Sequence, residues 1–488
     1  MWIGSEWINK LEFQIRTMKK YSLFLVLILA GLNLFSQNRN EEHGAIIKDN
    51  PASLKNALKD IVTSADVLEV KDGVSSKELE LTFNDMQWWH NAKFGLFIHW
   101  GVYSIAGKGE WYMFSDQVDV REYKKLADQF TAEKFDAKAW AECAKDAGMK
   151  YMVLTARHHD GFSLWDSPGS YDHFTSMNSA AKKDIVAEYT KACRVAGLRV
   201  GLYYSPLDWR FPGFFFPEMY RENAEQLKAQ TYAQVEELMK NYGKIDVLWY
   251  DGGGDDWLGL GGLKYGMGGV GWSRRPKSEK YTGKPLYEPL ILNAMVRQYQ
   301  PKVIMNDRSG YKGDFKSREM EIGDFDNTNA WEKCGTMGTG WGYLATKTEP
   351  YPLKKLLTQL SNIVCRGGNF LLNVGPRSDG QIEPVQVARL KEMGQWLKQY
   401  GECIYGTQGG PVIPTKAYGA TSTSTAIYIH IWEWPEDRKI IIGGLIGVKS
   451  GKTLTDDKVL ISVMDGKVEL SCDQIKSDNI LTVIKLNL

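Results

Sequence analysis

Net charge is the first thing this 488-residue chain lacks: sixty Lys and Arg stand against fifty-nine Asp and Glu. A balanced surface creates no long-range field, which argues against a general nucleic-acid or polyanion binder. Cysteine is sparse too. Cys143, Cys193, Cys334, Cys365, Cys403 and Cys472 are widely spread, with no CxxC and no metal-type spacing to histidine. That speaks against a disulfide framework and a zinc site; Cys143 and Cys193, inside apolar helical patterns, are expected as buried free thiols. The apolar run near the N-terminus, Leu23 to Leu32, holds ten residues, too few to span a bilayer comfortably.

That run has another use. Lys19 and Lys20 precede it, and small Ser36 follows a polar turn, the order of a secretory signal peptide. Met18 stands directly before this segment, so the first seventeen residues read as an upstream mis-start. Residues 1–36 are therefore set aside as a signal peptide with an extension. The expectation is export to the periplasm or beyond the cell, with no membrane span after cleavage. Export permits disulfides without requiring them.

What remains is ordinary for a soluble globular protein, 43% hydrophobic and 24% charged, long enough for one large domain and a smaller one. Less ordinary are 17 Trp and 24 Tyr, whose rings suit sugar stacking as well as core packing. Composition assigns no oligomeric state.

After an N-terminal segment, 37–84, short apolar strands alternate with amphipathic helices over 85–408. KFGLFIHWG (93–101), KYMVLTARHHDGF (150–162), LRVGLYYSP (198–206), IDVLWYDGG (245–253), KVIMNDR (302–308) and NFLLNVGP (369–376) are too apolar for one-sided burial. Between them, Ile185, Tyr189, Ala192, Cys193 and Ala196 mark one helical stripe; Ala224, Leu227, Val235, Leu238 and Tyr242 mark another. Gly148 and Gly197 stand where C-terminal caps belong. This pattern predicts an α/β fold, a (β/α)8-like barrel. From 409 to 488 short alternating strands predict a C-terminal antiparallel β-sandwich, there for packing or weak carbohydrate contact. Ten glycines between Asp251 and Trp272 exclude a regular element, and a loop that long beside a strand end suits a lid or subsite wall.

Barrel active sites sit at the C-terminal strand ends. Those ends carry His99-Trp100, His158-His159-Asp160, Tyr203-Tyr204, Asp251, Asn306-Asp307-Arg308 and Asn373. Asp251-Gly252 alone reads as a turn, but polar residues on six strand ends make a rim. Two carboxylates across such a pocket are what glycosidic cleavage needs. Asp251, fixed by its strand, suits the first; Glu319, Glu321 and Glu332 are candidates for the second. His158 and His159 are neighbours, and neighbours on a regular strand point to opposite faces. They are expected to bond sugar hydroxyls rather than share a metal, and Arg308 to keep a carboxylate ionised.

Together WWHNAKFGLFIHWGVYS, EWY, ARHHDGFSLWDS, GLYYSPLDW, DVLWYDGG, NDR, WEKC, WGY and GGNFLLNVGP resemble the α-L-fucosidases of glycoside hydrolase family 29, in family order over about 85–410. The resemblance implies a retaining exo-glycosidase acting on terminal α-L-fucose of oligosaccharides or glycoconjugates, with no metal or organic cofactor. It implies Asp251 as nucleophile and His99, Glu110, Trp111, His158, His159, Tyr204, Trp249, Arg308, Glu332 and Trp341 as sugar-binding residues, with Tyr203 competing for the place of Tyr204. The family pattern GDF, one residue, Thr-Pro-Glu, with Trp-Glu some twelve residues on, fits GDFKSRE (313–319) and Trp331. It selects Glu319 as acid/base, Ser-Arg replacing Thr-Pro, with Glu321 and Glu332 in reserve. Glu319 is expected to titrate high, raised by burial and by Asp251. Two other readings stay open: an inactive fucose-binding protein, and an α-L-galactosidase-type specificity.

Overall fold

The computed structural model describes residues 76–215, 217, 220–252, 286–455, 458–472 and 480–488. The expected signal segment 1–36 and nearly all of the glycine-rich stretch lie outside the described residues.

Eight strands are arranged in one parallel sheet: β1 (Phe94–Ile98), β2 (Tyr151–Arg157), β3 (Arg199–Tyr204), β4 (Val247–Tyr250), β5 (Ile304–Met305), β6 (Lys316–Glu319), β7 (Trp331–Thr336) and β8 (Asn369–Val374). Their order is β5-β4-β3-β2-β1-β8-β7-β6. The sheet curls until its edges meet, and one parallel bridge, Asn306 to Phe315, joins the ends of β5 and β6. The barrel expected from the alternation is therefore present.

Six of the strands are those expected. The other two escape an apolar reading for different reasons. β6 (KSRE) has no residue of its own in the core. β7 (WEKCGT) is buried throughout despite two charges: Glu332 points inward to hydrogen-bond donors, and Lys333 lies over the Phe370 ring. Neither the β5–β6 nor the β6–β7 connection contains a helix.

Alternation along each strand sorts the two faces. On β1, Phe94, Leu96 and Ile98 face the outer helices, whereas Phe97 joins Tyr151, Val153, Tyr203, Trp249, Cys334 and Leu371 inside the barrel. Both faces are covered, which is why the strands read as nearly continuous apolar runs. Outside, the helix Ile185–Ala196 buries Ile185, Tyr189 and Cys193, starts where Asp184 accepts from Ala187 N, and ends at Gly197 with φ 78°. Helix Arg221–Asn241 buries Ala224, Leu227, Val235 and Leu238. All six cysteines are free thiols; five are buried and Cys143, expected to be buried, is half-buried.

C-terminal to the barrel come β9 (Gln408–Gly409), β10 (Tyr418–Ser422), β11 (Ala426–Ile431), β12 (Lys439–Ile442), β13 (Ser450–Thr453), β14 (Val459–Met464), β15 (Lys467–Cys472) and β16 (Thr482–Asn487). They form antiparallel sheets ordered β13-β16-β11-β10-β9 and β12-β15-β14. Ile429, Ile440, Val468, Leu470 and Ile484 share a core, the two-sheet packing expected from period-2 alternation.

Candidate active site

The C-terminal strand ends enclose a cavity of about 490 Å³ lined by His99, Glu110, Trp111, His158, His159, Trp249, Asp251, Arg308, Glu319 and Trp341. Phe97, Tyr203, Gly252 and Cys334 complete the lining. Ten of the twelve expected residues thus converge on one pocket.

Asp251 is where the strand and turn readings meet. Gly252, with φ 98°, turns the chain, and its N–H donates to Asp251 Oδ1 at 2.7 Å. The same oxygen accepts from Arg308 Nη1 at 2.5 Å, and Oδ2 accepts from the Tyr203 hydroxyl at 2.7 Å. Burial pushes the carboxyl up, but the Arg308 guanidinium, His159 and the Tyr203 hydroxyl outweigh it and hold Asp251 well below the usual carboxylate range. It is an ionised carboxylate held in a fixed orientation.

Arg308 reaches a second carboxylate: Nη2 donates to Glu319 Oε2 at 2.8 Å, while Nε donates to Ser317 Oγ at 3.2 Å. One guanidinium thus joins Asp251 and Glu319, with its carbon 5.2 Å from the Trp249 ring centre. A third carboxyl, Glu110, is buried at the wall and accepts from Gly342 N at 2.7 Å. Burial raises its pKa against that bond, and Glu319 and Asp251 add to the rise.

The histidines are oriented from behind. Asn373 Nδ2 donates to Trp341 O at 2.7 Å, so its oxygen faces His99 Nδ1 at 2.6 Å. His99 therefore carries its proton on Nδ1 and offers Nε2 as an acceptor; burial lowers its pKa to about 4 and keeps it neutral. Ser205 Oγ accepts from Leu207 N and lies 2.6 Å from His159 Nδ1. Donation from Ser205 leaves the His159 Nε2 proton for Asp251, 3.5 Å away. The loop holding Ser205 is clamped by Arg157 and Arg210 on fully buried Asp208.

Four expectations need correction. Tyr204 is not in the pocket; its hydroxyl donates to Gln234 Oε1 outside the barrel. Register explains this, because Tyr203 pairs with Trp249 and Tyr204 with Tyr250, and laterally paired residues share a face. Glu332 does not reach the sugar space either: it lies one layer deeper, accepting from Tyr151 and from Trp249 Nε1 at 3.2 Å. Glu319 instead pairs with Cys334, level with the lining, and Glu321 is exposed beyond the strand. The burial expected for Glu319 is absent, its side chain being 45% exposed. Finally, His158 and His159 both turn inward, because β2 stops at Arg157 and the pair follows it. Their nitrogens and an Asp251 oxygen lie within 4.8 Å of one another, a donor set a divalent cation could use. Arg308 already supplies the positive charge on that carboxylate.

Phe97 and Cys334 were missed. Each stands two residues from a named position, His99 or Glu332, the spacing that keeps side chains on one strand face.

A sequence model described as α-L-fucosidase matches residues 71–402. The plasma α-L-fucosidase of Pongo abelii is 32% identical over 73% of this chain and 78% of its own. α-L-Fucosidase isoenzyme 1 of Paenibacillus thiaminolyticus superposes with a TM-score of 0.69 at 31% identity, covering 83% of this chain and 98% of that one. The Thermotoga maritima α-fucosidase, solved in complex with a mechanism-based inhibitor, gives 0.63 at 30% identity over 82% and 96%. With the pocket at the barrel's C-terminal rim and a match across two thirds of its length, the chain belongs to the α-L-fucosidase family, glycoside hydrolase family 29.

Proposed function

We propose that this enzyme removes terminal α-L-fucose from glycans by double displacement with retention. An Asp251 oxygen attacks C1 as the glycosidic oxygen leaves with the Glu319 proton, giving a fucosyl ester. Water then passes a proton to Glu319 and its hydroxyl to C1, and Asp251 is released. The observation that carries this is Arg308, which contacts both carboxylates. Retention requires the two carboxyls to be only about 5–5.5 Å apart. Sugar entry is expected to break the Arg308–Glu319 pair and dehydrate Glu319, which an acid needs. The apolar part of the lining, Phe97, Trp249, Cys334 and Trp341, suits a 6-deoxy sugar. An L-galactoside should be disfavoured by only about 10–200-fold, since an apolar pocket rejects an added hydroxyl weakly. The signal-peptide pattern supports action outside the cytoplasm, testable by N-terminal sequencing of the exported protein.

The test is p-nitrophenol release from the α-L-fucoside by wild type, Asp251→Ala and Glu319→Ala, each with and without azide. Turnover in wild type, loss in D251A, and azide rescue of E319A with α-fucosyl azide as product are expected, whereas azide reacting in D251A should give the inverted β-fucosyl azide. Fucose binding without turnover in wild type would instead establish the inactive binding protein. Unimpaired E319A on natural fucosides would move the acid/base role to another carboxyl, buried Glu110 first.

A further inference from the structure

A second cavity, of about 340 Å³, lies at the opposite end of the barrel, where the chain enters β1, β7 and β8. Its wall carries amides and hydroxyls, among them Gln87, Asn91, Thr328 and Asn329, and one lysine, Lys93, but no carboxylate among the described residues. Lys93 is only 3% exposed. Among the described residues its ammonium has neither a hydrogen-bond nor an ion-pair partner, and burial alone lowers its pKa, to about 8. It is still mostly charged at neutral pH. A cation held mostly away from water, with no counter-charge among the described residues, is costly for a fold to keep, and the surroundings that make it costly strengthen its attraction for an anion entering the cavity that it lines.

The neighbours are arranged to help. Gln87 Nε2 donates to Asn91 Oδ1 at 3.1 Å, which turns the amide so that its two N–H donors remain uncommitted. His90, stacked on Phe83 with ring centres 4.4 Å apart, also lines the cavity. Burial, then the Lys93 charge, lowers its pKa to about 4 and keeps the ring neutral. An ammonium and amide donors without partners, facing a cavity that has no carboxylate, all among the described residues, match the oxygens of an anion.

We propose that this cavity is an oxyanion site, in which Lys93 and Asn91 hold a phosphate, sulfate or carboxylate group. It is separate from the sugar pocket and shares no residue with it.

Thermal unfolding of the full chain, titrated with inorganic phosphate, sulfate or glucuronate against sodium chloride at equal ionic strength, tests it. Wild type should show a saturable rise in Tm, about 3 °C at a hundredfold excess over Kd. Lys93→Met should lose the saturable part while keeping the shallow, unsaturated rise that excluded salts give any protein. Its Tm in chloride should match or exceed that of wild type, because an unpaired buried charge is gone, and its fucoside turnover should stay within about twofold. The anion that saturates first separates a tetrahedral oxyanion from a sugar acid. No saturable response in wild type to any of the three, or an equal response in K93M, overturns the proposal. Should K93M fail to fold, Asn91→Ala, at an exposed position, decides: a several-fold weaker saturation supports the site and an unchanged one refutes it.

Discussion

The two tyrosines that end β3 show how a single position separates chemistry from packing. Tyr203 donates to Asp251, the proposed nucleophile, and Tyr204 donates to Gln234 on the far side of the same strand. A hydrogen bond to a charged group contributes ~1.5–3 kcal/mol, so Tyr203→Phe should lower kcat/KM by roughly 10–150-fold if that bond acts in the transition state. Tyr204→Phe should leave kcat/KM unchanged and cost about 1 kcal/mol of stability. Fucoside kinetics beside urea unfolding of both variants check this, and equal kinetic losses would reverse the facing of the strand. At this scale the sequence was legible in residue type and blind to orientation: both tyrosines satisfy any composition rule, and only the pairing of Tyr203 with Trp249 separates them.

β7 shows what an element adds. It carries Glu332 into the barrel interior, where burial raises the carboxyl to about 7 against its bonds from Tyr151 and Trp249. A carboxyl raised in the folded state favours folding below its unfolded pKa, and that advantage is lost as pH climbs through about 7. The span from 4.5 to about 7 corresponds to about 3 kcal/mol, an order of magnitude only. Glu332→Gln, which mimics the protonated form, should therefore gain on wild type in Tm between pH 5 and pH 8; a pH-independent difference would place the proton elsewhere. Two strands along the sheet, Gly95 of β1 leaves room for the Tyr151 ring, whose atoms would stand 2.5 Å from an added Cβ. Gly95→Ala should cost ~1–3 kcal/mol through overpacking, read as a lower denaturation midpoint. A midpoint unchanged by the added methyl would mean that the Tyr151 ring can step aside freely.

For the whole molecule, the joint between barrel and β-sandwich has a titratable group at its centre. His430 of β11 is fully buried between Ser361 of helix Leu353–Cys365 and Thr421 of β10, at 2.9 Å from each hydroxyl. Burial lowers its pKa to about 3, and His99 in the pocket is lowered to about 4. Both fold neutral, so their contribution is complete above the unfolded value near 6.5 and is lost as pH falls from there toward 3. Stability should therefore decline below about pH 6.5. His430→Asn should flatten that decline between pH 6 and pH 4 in a Tm series, whatever it costs at neutral pH; an unchanged slope would exclude this joint as the origin.

By itself the sequence determined the layers and the chemistry. Continuous apolar runs buried on both faces demanded a parallel sheet wrapped in helices, and polar strand ends located the rim that holds Asp251, Arg308 and the histidines. Period and residue type are local properties, so they can be read along a chain. Tertiary structure decided what depends on neighbours distant in sequence. The register of β6 on β7 sets Glu319 level with the pocket and Glu332 a layer beneath it, although both are glutamates in the same short stretch. The charged strand β7 is stable because Trp249, Tyr151 and Phe370 meet its polar groups from other strands. Burial, partners and facing are set by what packs against a residue, and that is why the polar strands and the inner layer had to await the fold.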